Sequence, residues 1–99
     1  MVYTYVLHSA KDGRWYTGVS KDLKARMHEH RTGRVRSTRS RLPVILAYYE
    51  ACVDEADAWR RERYLKTGRG KRYLRKRLSG WLSQMWPIKL ERHLLTEGG

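Results

Sequence analysis

Two short segments rich in β-branched and aromatic residues lie on either side of Asp12-Gly13, and this arrangement constrains the fold more than any other feature. Asp-Gly pairs are typical of the tight turns that join antiparallel strands. Residues 2–8 (VYTYVLH) have apolar side chains at both parities, which predicts a strand buried on both faces. Residues 14–19 (RWYTGV) predict the returning strand, where Gly18 indicates a bulge or a close approach to the backbone. The chain therefore starts with a predicted β-hairpin.

The rest of the chain predicts one further strand and three helices. Ser20 is the expected N-cap of a first helix, which should end near Gly33. Residues 44–49 (VILAYY) predict the third strand. A second helix is expected to start near Asp54, and a third is expected over about residues 71–82. The resulting order, β-β-α-β-α-α, predicts an α+β fold.

The length and the apolar residues near the C-terminus predict one domain with an extension. A chain of 99 residues is long enough for one domain with a modest core. We expect residues 1–80 to form this domain. Residues 81–99 contain two tryptophans and several leucines around Pro87, so they are too apolar for a solvated tail. This extension is expected to pack on the domain or to contact a second subunit or another protein.

The charge of the chain predicts a polyanionic partner. The net charge is +12 and the isoelectric point is near 10.4. Solubility needs far less charge, so the basic excess favours nucleic acid as the partner. The single cysteine excludes an internal disulfide and a cysteine zinc cluster. The sequence shows no signal-peptide pattern and no apolar run long enough for a membrane span, so we expect a cytoplasmic protein without a membrane partner.

Glu62 is the first candidate for chemistry, because it lies between arginines on the second predicted helix. The charge pattern alone favours a surface glutamate that pairs with these arginines. The alternative is a metal ligand, since a carboxylate in a positive field can hold a Mg²⁺ ion that also binds a substrate phosphate.

Tyrosines of the hairpin and a basic pair on the first helix form two further candidate groups. Tyr3 and Tyr5 share one strand face, and Tyr16 lies across the predicted hairpin from them. Cross-strand packing would explain this cluster, but a tyrosine in a positively charged pocket can also serve as a base. Arg26 and His30 are four residues apart and share one helix face. They are either a solvated pair or a functional one.

Basic residues of the connection after the first helix and of the two later helices could flank a groove. Side chains of this kind hold phosphates without reading the sequence of the nucleic acid. Solvated helix faces would account for some of them. The candidates are Arg34, Arg36, Arg39, Arg41, Arg61, Lys66, Arg69, Lys71 and Arg72.

These motifs, in this order, resemble the GIY-YIG nuclease family. Residues 3–5 (YTY) stand where the family has Gly-Ile-Tyr, and residues 16–18 (YTG) stand where it has Tyr-Ile-Gly. Residues 20–30 resemble the family helix with a catalytic arginine and a later histidine. Residues 61–66 resemble the helix with the metal-binding glutamate. The resemblance covers residues 2 to about 78 and is greatest to the small stand-alone members.

The resemblance implies a three-stranded antiparallel sheet flanked by helices. It also implies an endonuclease that hydrolyses phosphodiester bonds of nucleic acid with weak sequence specificity; of the two nucleic acids, DNA is the expected substrate, and RNA remains the alternative. One divalent ion, Mg²⁺ or Mn²⁺, would be the cofactor. The site residues that it implies are Tyr5, Tyr16, Arg26, His30 and Glu62, with Tyr3 and Gly18 as structural members of the two motifs.

The roles implied for these residues follow the chemistry of their side chains. Glu62 would bind the metal ion. Tyr5 or Tyr16 would take a proton from the attacking water, and the sequence leaves open which of them does so. Arg26 would offset negative charge on the phosphate, and His30 would orient the water or a tyrosine.

Departures from the family pattern leave two other functions open. The first glycine of the family is replaced by Tyr3 and the isoleucine of the second motif by Thr17, while the late asparagine of some family nucleases has no counterpart. The chain could be a nucleic-acid-binding module without catalysis, or a basic protein-interaction domain that uses its apolar C-terminal segment. A pure binder does not need the carboxylate of Glu62, which favours the nuclease.

Overall fold

The computed structural model describes residues 1–85 of the chain. A 3₁₀ turn at Arg39–Arg41 precedes the third strand, and residues 79–85 form a further helical segment. The α+β class and the predicted order β-β-α-β-α-α are confirmed. The main elements are the strands β1 (Val2–Ser9), β2 (Trp15–Ser20) and β3 (Val44–Cys52), and the helices α1 (Leu23–Arg31), α2 (Glu55–Leu65) and α3 (Gly68–Arg77).

The three strands form one antiparallel sheet in the order β2-β1-β3. β1 is the central strand, and Val6 and Leu7, which point to opposite faces, are both buried. The prediction of a strand buried on both faces is therefore confirmed. β2 is an edge strand, and its register places Gly18 opposite Tyr5 and Tyr16 opposite Leu7.

Helices cover both faces of the sheet, because β1 presents apolar side chains on each. On one face Tyr5 and Leu7 pack with Met27 of α1; we call this the α1 face. On the other, Val6 packs with Leu65 of α2 and Leu74 of α3; we call this the α2–α3 face. The two small cores are separated by the sheet itself, and each is built from residues of only one β1 parity.

Two of the three main helices begin at different residues from those that the sequence predicts. Asp22, and not Ser20, caps α1, since its carboxylate accepts a hydrogen bond from the Ala25 backbone N–H at 3.1 Å. Ser20 ends β2 because its backbone pairs with β1. Thr67 caps α3 through the Gly70 backbone N–H at 3.1 Å, so this helix starts earlier than predicted and ends at Arg77. Asp54 precedes α2 as expected, although its side chain makes no capping bond.

The start of the predicted C-terminal extension packs on the domain. The ring centroids of Trp81 and of His8 on β1 are 5.3 Å apart, and the two ring planes are perpendicular. Residues 86–99 lie outside the described part of the chain, so the prediction of a subunit or partner contact through 81–99 stays a prediction. Within residues 1–85, no helix is long and apolar enough to cross a membrane.

Candidate active site

A cavity of about 430 Å³ at the β2 edge is lined by all five side chains that the sequence predicts for the site. Residues of β2 from both parities line it, among them Tyr16 on the α1 face and Thr17 on the α2–α3 face. The cavity therefore extends around the edge strand. For this reason Glu62, on a helix of the α2–α3 face, shares it with Tyr5 on the α1 face.

The Tyr5 side chain enters the cavity across Gly18 of the neighbouring strand. A Cβ atom at Gly18 would lie 2.4 Å from the Tyr5 hydroxyl oxygen and 2.6 Å from Cζ. Such distances are far inside van der Waals contact, so the ring can take this position only because residue 18 has no side chain. The predicted close approach at Gly18 is confirmed, and the approaching group is the tyrosine of the first motif.

The Tyr5 hydroxyl belongs to a chain of side-chain hydrogen bonds. Arg26 Nε donates to it at 3.3 Å, His30 Nε2 lies 2.9 Å from it, and His30 Nδ1 lies 2.7 Å from Thr38 Oγ1. A guanidinium can only donate, so the Tyr5 oxygen accepts from Arg26. In the tautomer with the His30 proton on Nδ1, toward Thr38, the Tyr5 hydroxyl donates its own proton to His30 Nε2.

Glu62 reaches the cavity from the buried face of α2. Its neighbours on this face, Ala58 and Leu65, are each 1% exposed, and the Glu62 side chain is 8% exposed. Its carboxylate accepts from Lys66 Nζ at 2.8 Å, one helical turn later. The expectation from charge pattern alone, a surface glutamate paired with arginines, is therefore wrong.

Comparison with known proteins identifies the family to which this chain belongs. The model of the GIY-YIG catalytic domain matches residues 1–76. The chain belongs to the GIY-YIG family. A UPF0213 protein of Streptococcus agalactiae serotype V is 45% identical to this GIY-YIG chain over 65 residues, which are 65% of this chain and 73% of that protein. A UPF0213 protein of Staphylococcus haemolyticus is 36% identical over 66 residues, 66% of this chain and 79% of the relative.

A solved structure is also similar to the GIY-YIG domain described here. The solution NMR structure of the UPF0213 protein BH0048 from Bacillus halodurans is 36% identical to it, with a TM-score of 0.47. The match covers 75% of this chain and 82% of that one. The GIY-YIG family is a family of nucleases, so membership implies a nuclease-type domain and nucleic acid as its class of substrate.

The two motif tyrosines of the GIY-YIG domain have different surroundings. The Tyr5 residue is 3% exposed and bonded to His30 and Arg26, whereas the half-buried Tyr16 donates to Asp12 Oδ2 at the longer distance of 3.4 Å. Tyr16 lies diagonally from Tyr5 across the hairpin, because the residue directly opposite Tyr5 is Gly18. Tyr3 does not line the cavity and instead packs edge-on against Tyr49, with ring centroids 6.0 Å apart.

The electrostatics of the α1 side keep His30 neutral and Arg26 charged. Burial lowers the pKa of His30 below 6.5, and the positive charge of Arg26 lowers it further. The hydrogen bond to Tyr5 raises the pKa of Arg26, with a further contribution from Glu29, whose carboxylate accepts from Arg26 Nη1 at 2.8 Å. At neutral pH the imidazole can therefore accept a proton, and the guanidinium beside it remains a cation.

The donor groups at the cavity suit a metal ion that the substrate helps to bind. Within residues 1–85, no cluster of three or more histidine, cysteine, aspartate or glutamate side chains could hold a metal ion by itself. Among the described residues, Glu62 is the single carboxylate on the cavity wall. Mg²⁺ commonly keeps several waters and binds through one or two carboxylates together with substrate phosphates. Glu62 therefore suits a metal ion that is bound jointly with the substrate better than one that is bound by protein ligands alone.

The predicted basic residues differ in where they lie. Lys66 and Lys71 line the cavity. Arg61 does not: its guanidinium lies 5.1 Å and 4.7 Å from the ring centroids of Tyr64 and Tyr73 and is bonded to Glu50. These contacts occupy Arg61 within the fold, so they argue against its predicted role in binding nucleic acid.

The remaining predicted basic residues lie outside the cavity lining. Arg41 forms an ion pair with Asp12 at 3.3 Å. Arg34 lies beside α1, in a shallow depression shared with Glu29. The others are exposed and form no ion pair within residues 1–85; they are Arg36, Arg39, Arg69 and Arg72.

Several residues of the cavity are not among those predicted from the sequence, above all Thr38. Thr38 is 1% exposed and holds His30 Nδ1, yet it lies in a connection that the sequence marks only as basic. Its position in a polar loop shortly after the candidate histidine is the one signal that was available. Trp15 and Trp59 also line the cavity, and nothing in their spacing separates them from ordinary core tryptophans.

Proposed function

We propose that this chain is a divalent-metal-dependent endonuclease that hydrolyses phosphodiester bonds of nucleic acid, with DNA as the preferred substrate. The main support is the convergence of Tyr5, Arg26, His30 and Glu62 on one cavity at the β2 edge. A proton acceptor, a permanent cation and a carboxylate are the groups that such a reaction needs. The cations Lys66 and Lys71 on the same cavity wall suit the charge of the substrate backbone.

Tyr5 is the proposed acceptor of the proton from the attacking water. As the water oxygen bonds to phosphorus, its proton passes to the Tyr5 oxygen, and the Tyr5 hydroxyl proton passes to His30 Nε2 at 2.9 Å. The bond from phosphorus to the leaving oxygen breaks, and that oxygen is protonated from solvent. The lowered pKa of His30 keeps the imidazole neutral at neutral pH, so Nε2 can accept in the tautomer that has its proton on Nδ1.

Arg26 and Glu62 lie on the two sides of the cavity, and both are proposed to help stabilise negative charge on the reacting phosphate. Arg26 stays protonated and can offset negative charge that grows on the phosphate in the transition state. Glu62 would hold the divalent ion, which when bound polarises the phosphate and stabilises the leaving oxygen. Lys66, whose ammonium contacts Glu62 in the free protein, can turn to a phosphate when the carboxylate is engaged elsewhere.

A cleavage assay with a Glu62→Gln variant tests this proposal. Single-stranded, duplex and branched DNA and RNA are incubated with Mg²⁺, Mn²⁺ or a chelator. The wild-type chain should cleave only with metal, and Glu62→Gln should lower the rate by about 1000-fold or more, because a carboxylate ligand is lost. Binding should hold or tighten slightly, since a negative charge leaves the cavity.

The outcome of this assay also addresses the alternative function. The Glu62–Lys66 ion pair satisfies the carboxylate without any metal, which is the observation that favours a module that binds nucleic acid and cleaves nothing. Salt-dependent binding without metal-dependent cleavage by the wild-type chain would establish that alternative. Undiminished metal-dependent cleavage by Glu62→Gln would remove Glu62 from the site.

A further inference from the structure

A second depression, of about 510 Å³, adjoins the cavity on the α2–α3 face. We call it the Trp15 groove. It shares Trp15 and Lys71 with the cavity, so the two lie next to each other. The groove is lined by Gly13, Arg14, Trp15, Lys71, Arg75 and Leu82.

Among residues 1–85, three cations and no carboxylate line the Trp15 groove. Lys71 and Arg75 are four residues apart on α3 and so share one helix face. Arg14, the residue before β2, lines the same groove. The ion pairs found within residues 1–85 involve none of the three. Unpaired cations converging on one groove match a backbone of phosphates.

Trp15 adds an aromatic surface between these cations and the cavity. One side of the half-buried indole packs against the Val6, Leu65 and Leu74 core, and other parts of it line both the cavity and the groove. Bases stack on such side chains where the strand is unpaired, and every base can do so. In a plain duplex the bases are stacked on one another, and only phosphates would reach the groove.

We propose that the Trp15 groove binds a single-stranded segment of nucleic acid, with a base on Trp15 and phosphates on Arg14, Lys71 and Arg75. Because the groove lies next to the cavity, the unpaired segment adjoins the phosphate to be cleaved. The preferred substrate is then a duplex with an unpaired strand at the cleavage point. The position of cleavage rests on the proposed nuclease function; the preference in binding does not.

Binding to a blunt duplex and to the same duplex with a single-stranded extension tests the inference. Both are measured with chelator present, so that affinity is separated from cleavage. The full chain should bind the extended duplex about tenfold more tightly, which is the effect expected of one stacked base with its phosphate contacts. A 2-aminopurine base in the extension reports stacking through the quenching of its fluorescence.

Matched double variants separate the groove from charge in general. Arg14→Gln with Arg75→Gln should reduce the preference to less than about twofold. Arg63→Gln with Lys76→Gln removes two exposed cations that line neither cavity nor groove, and should leave the preference intact. Trp15→Leu keeps an apolar side chain on the core and should abolish the quenching. If Trp15→Leu does not fold by circular dichroism, the comparison of the two double variants still decides.

Equal affinity for the two duplexes, or equal losses in the two double variants, would overturn the inference. Cleavage of both duplexes by the wild-type chain with Mg²⁺, measured in parallel, distinguishes this from failure of the nuclease proposal. Cleavage without a preference for the extension refutes only the groove. A preference without cleavage refutes only the nuclease.

Discussion

The two sides of the cavity hold their polar groups in different ways. On the α1 face, Arg26, Tyr5, His30 and Thr38 form an unbroken chain of hydrogen bonds that ends at a buried threonine. On the α2–α3 face, Glu62 has one ionic partner within the described residues 1–85, Lys66, whose own side chain is 59% exposed. The first side is fixed by the fold before any ligand arrives. The second is held by one flexible side chain and can exchange its partner.

This difference agrees with what each side is proposed to do. Groups that move a proton must already be within hydrogen-bond distance of one another. A carboxylate that is to take up an ion with its substrate must instead be able to release the cation it holds. The following predictions test two points. The hydrogen-bonded side chains of the α1 face should be rigid, and Glu62 on the α2–α3 face should be able to exchange Lys66 for another partner.

On the α1 side, the largest expected effect is that of Tyr5→Phe compared with Tyr16→Phe. Tyr5→Phe removes the oxygen that links Arg26 to His30, so the cleavage rate should fall by about 100- to 1000-fold. Tyr16→Phe removes only a long bond to Asp12 and should cost about tenfold or less. Single-turnover rates with saturating protein measure both. A larger loss for Tyr16→Phe would assign the proton acceptor to Tyr16.

Gly18→Ala should damage the α1 side without removing a polar group. The new Cβ would lie 2.4 Å from the Tyr5 oxygen, so the ring must move. We expect a loss of about 1–3 kcal/mol in stability from overpacking, and a cleavage rate lower by about tenfold. Gly68→Ala is the matched control, because a Cβ there meets nothing within 4 Å in the first turn of α3. Thermal melts that rank the two variants equally would contradict the proposed fit.

His30 should give the site an acid limit below pH 6.5. Its folded pKa is lowered, so the imidazole protonates, and can no longer accept from Tyr5, only as the pH falls through that lower value. Since the unfolded histidine has the higher pKa, the contribution to stability is complete above pH 6.5 and is lost between 6.5 and the folded pKa.

The contribution of Arg26 to this shift can be measured without any cleavage. Arg26→Met removes the positive charge beside His30, so the pKa of His30 should rise toward 6.5 in an NMR titration. Burial is the larger cause of the shift and remains in this variant, so the rise should be partial. An unchanged His30 titration would show that Arg26 does not act on the imidazole.

The smallest expected effect concerns the Glu62–Lys66 ion pair on the α2–α3 face. Lys66→Met frees the Glu62 carboxylate, so the affinity for Mn²⁺ without nucleic acid should rise by up to about fivefold, the value of an ion pair with an exposed partner. Arg60→Met is the control, because Arg60 pairs with the exposed Asp57 on the same helix. Titration calorimetry or Mn²⁺ resonance spectra provide the readout. No difference between these variants would mean that Lys66 does not restrain Glu62.

Local signals in the sequence were sufficient for the hairpin, the element order and the family motifs. The Asp12-Gly13 turn and the two-sided burial of residues 2–8 depend on neighbours along the chain, and both are confirmed. The close approach at Gly18 was also predictable, because glycine within a strand is seldom without a steric reason.

Features that depend on distant packing could not be predicted in this way. Glu62 looks like a surface residue beside its arginines, and only the packing of α2 on β1 and β2 buries it. Arg61 looks like a phosphate contact until the aromatic rings of Tyr64 and Tyr73 are in place around it. Thr38 gains its role from the fold of the basic connection, which brings a buried hydroxyl to His30.

The fit of the Tyr5 ring over Gly18 has a practical consequence for protein engineering. Tyr5 lies on β1, and the space that its ring fills is left by Gly18 on β2. The ring can take its position in the site only when both residues are present. Anyone who transplants this chemistry onto another scaffold must therefore move them together, as one component of two adjacent strands in fixed register. By the same reasoning, a larger residue at position 18 can be rescued only by shrinking its partner on β1, and that rescue would restore the fold while discarding the hydroxyl.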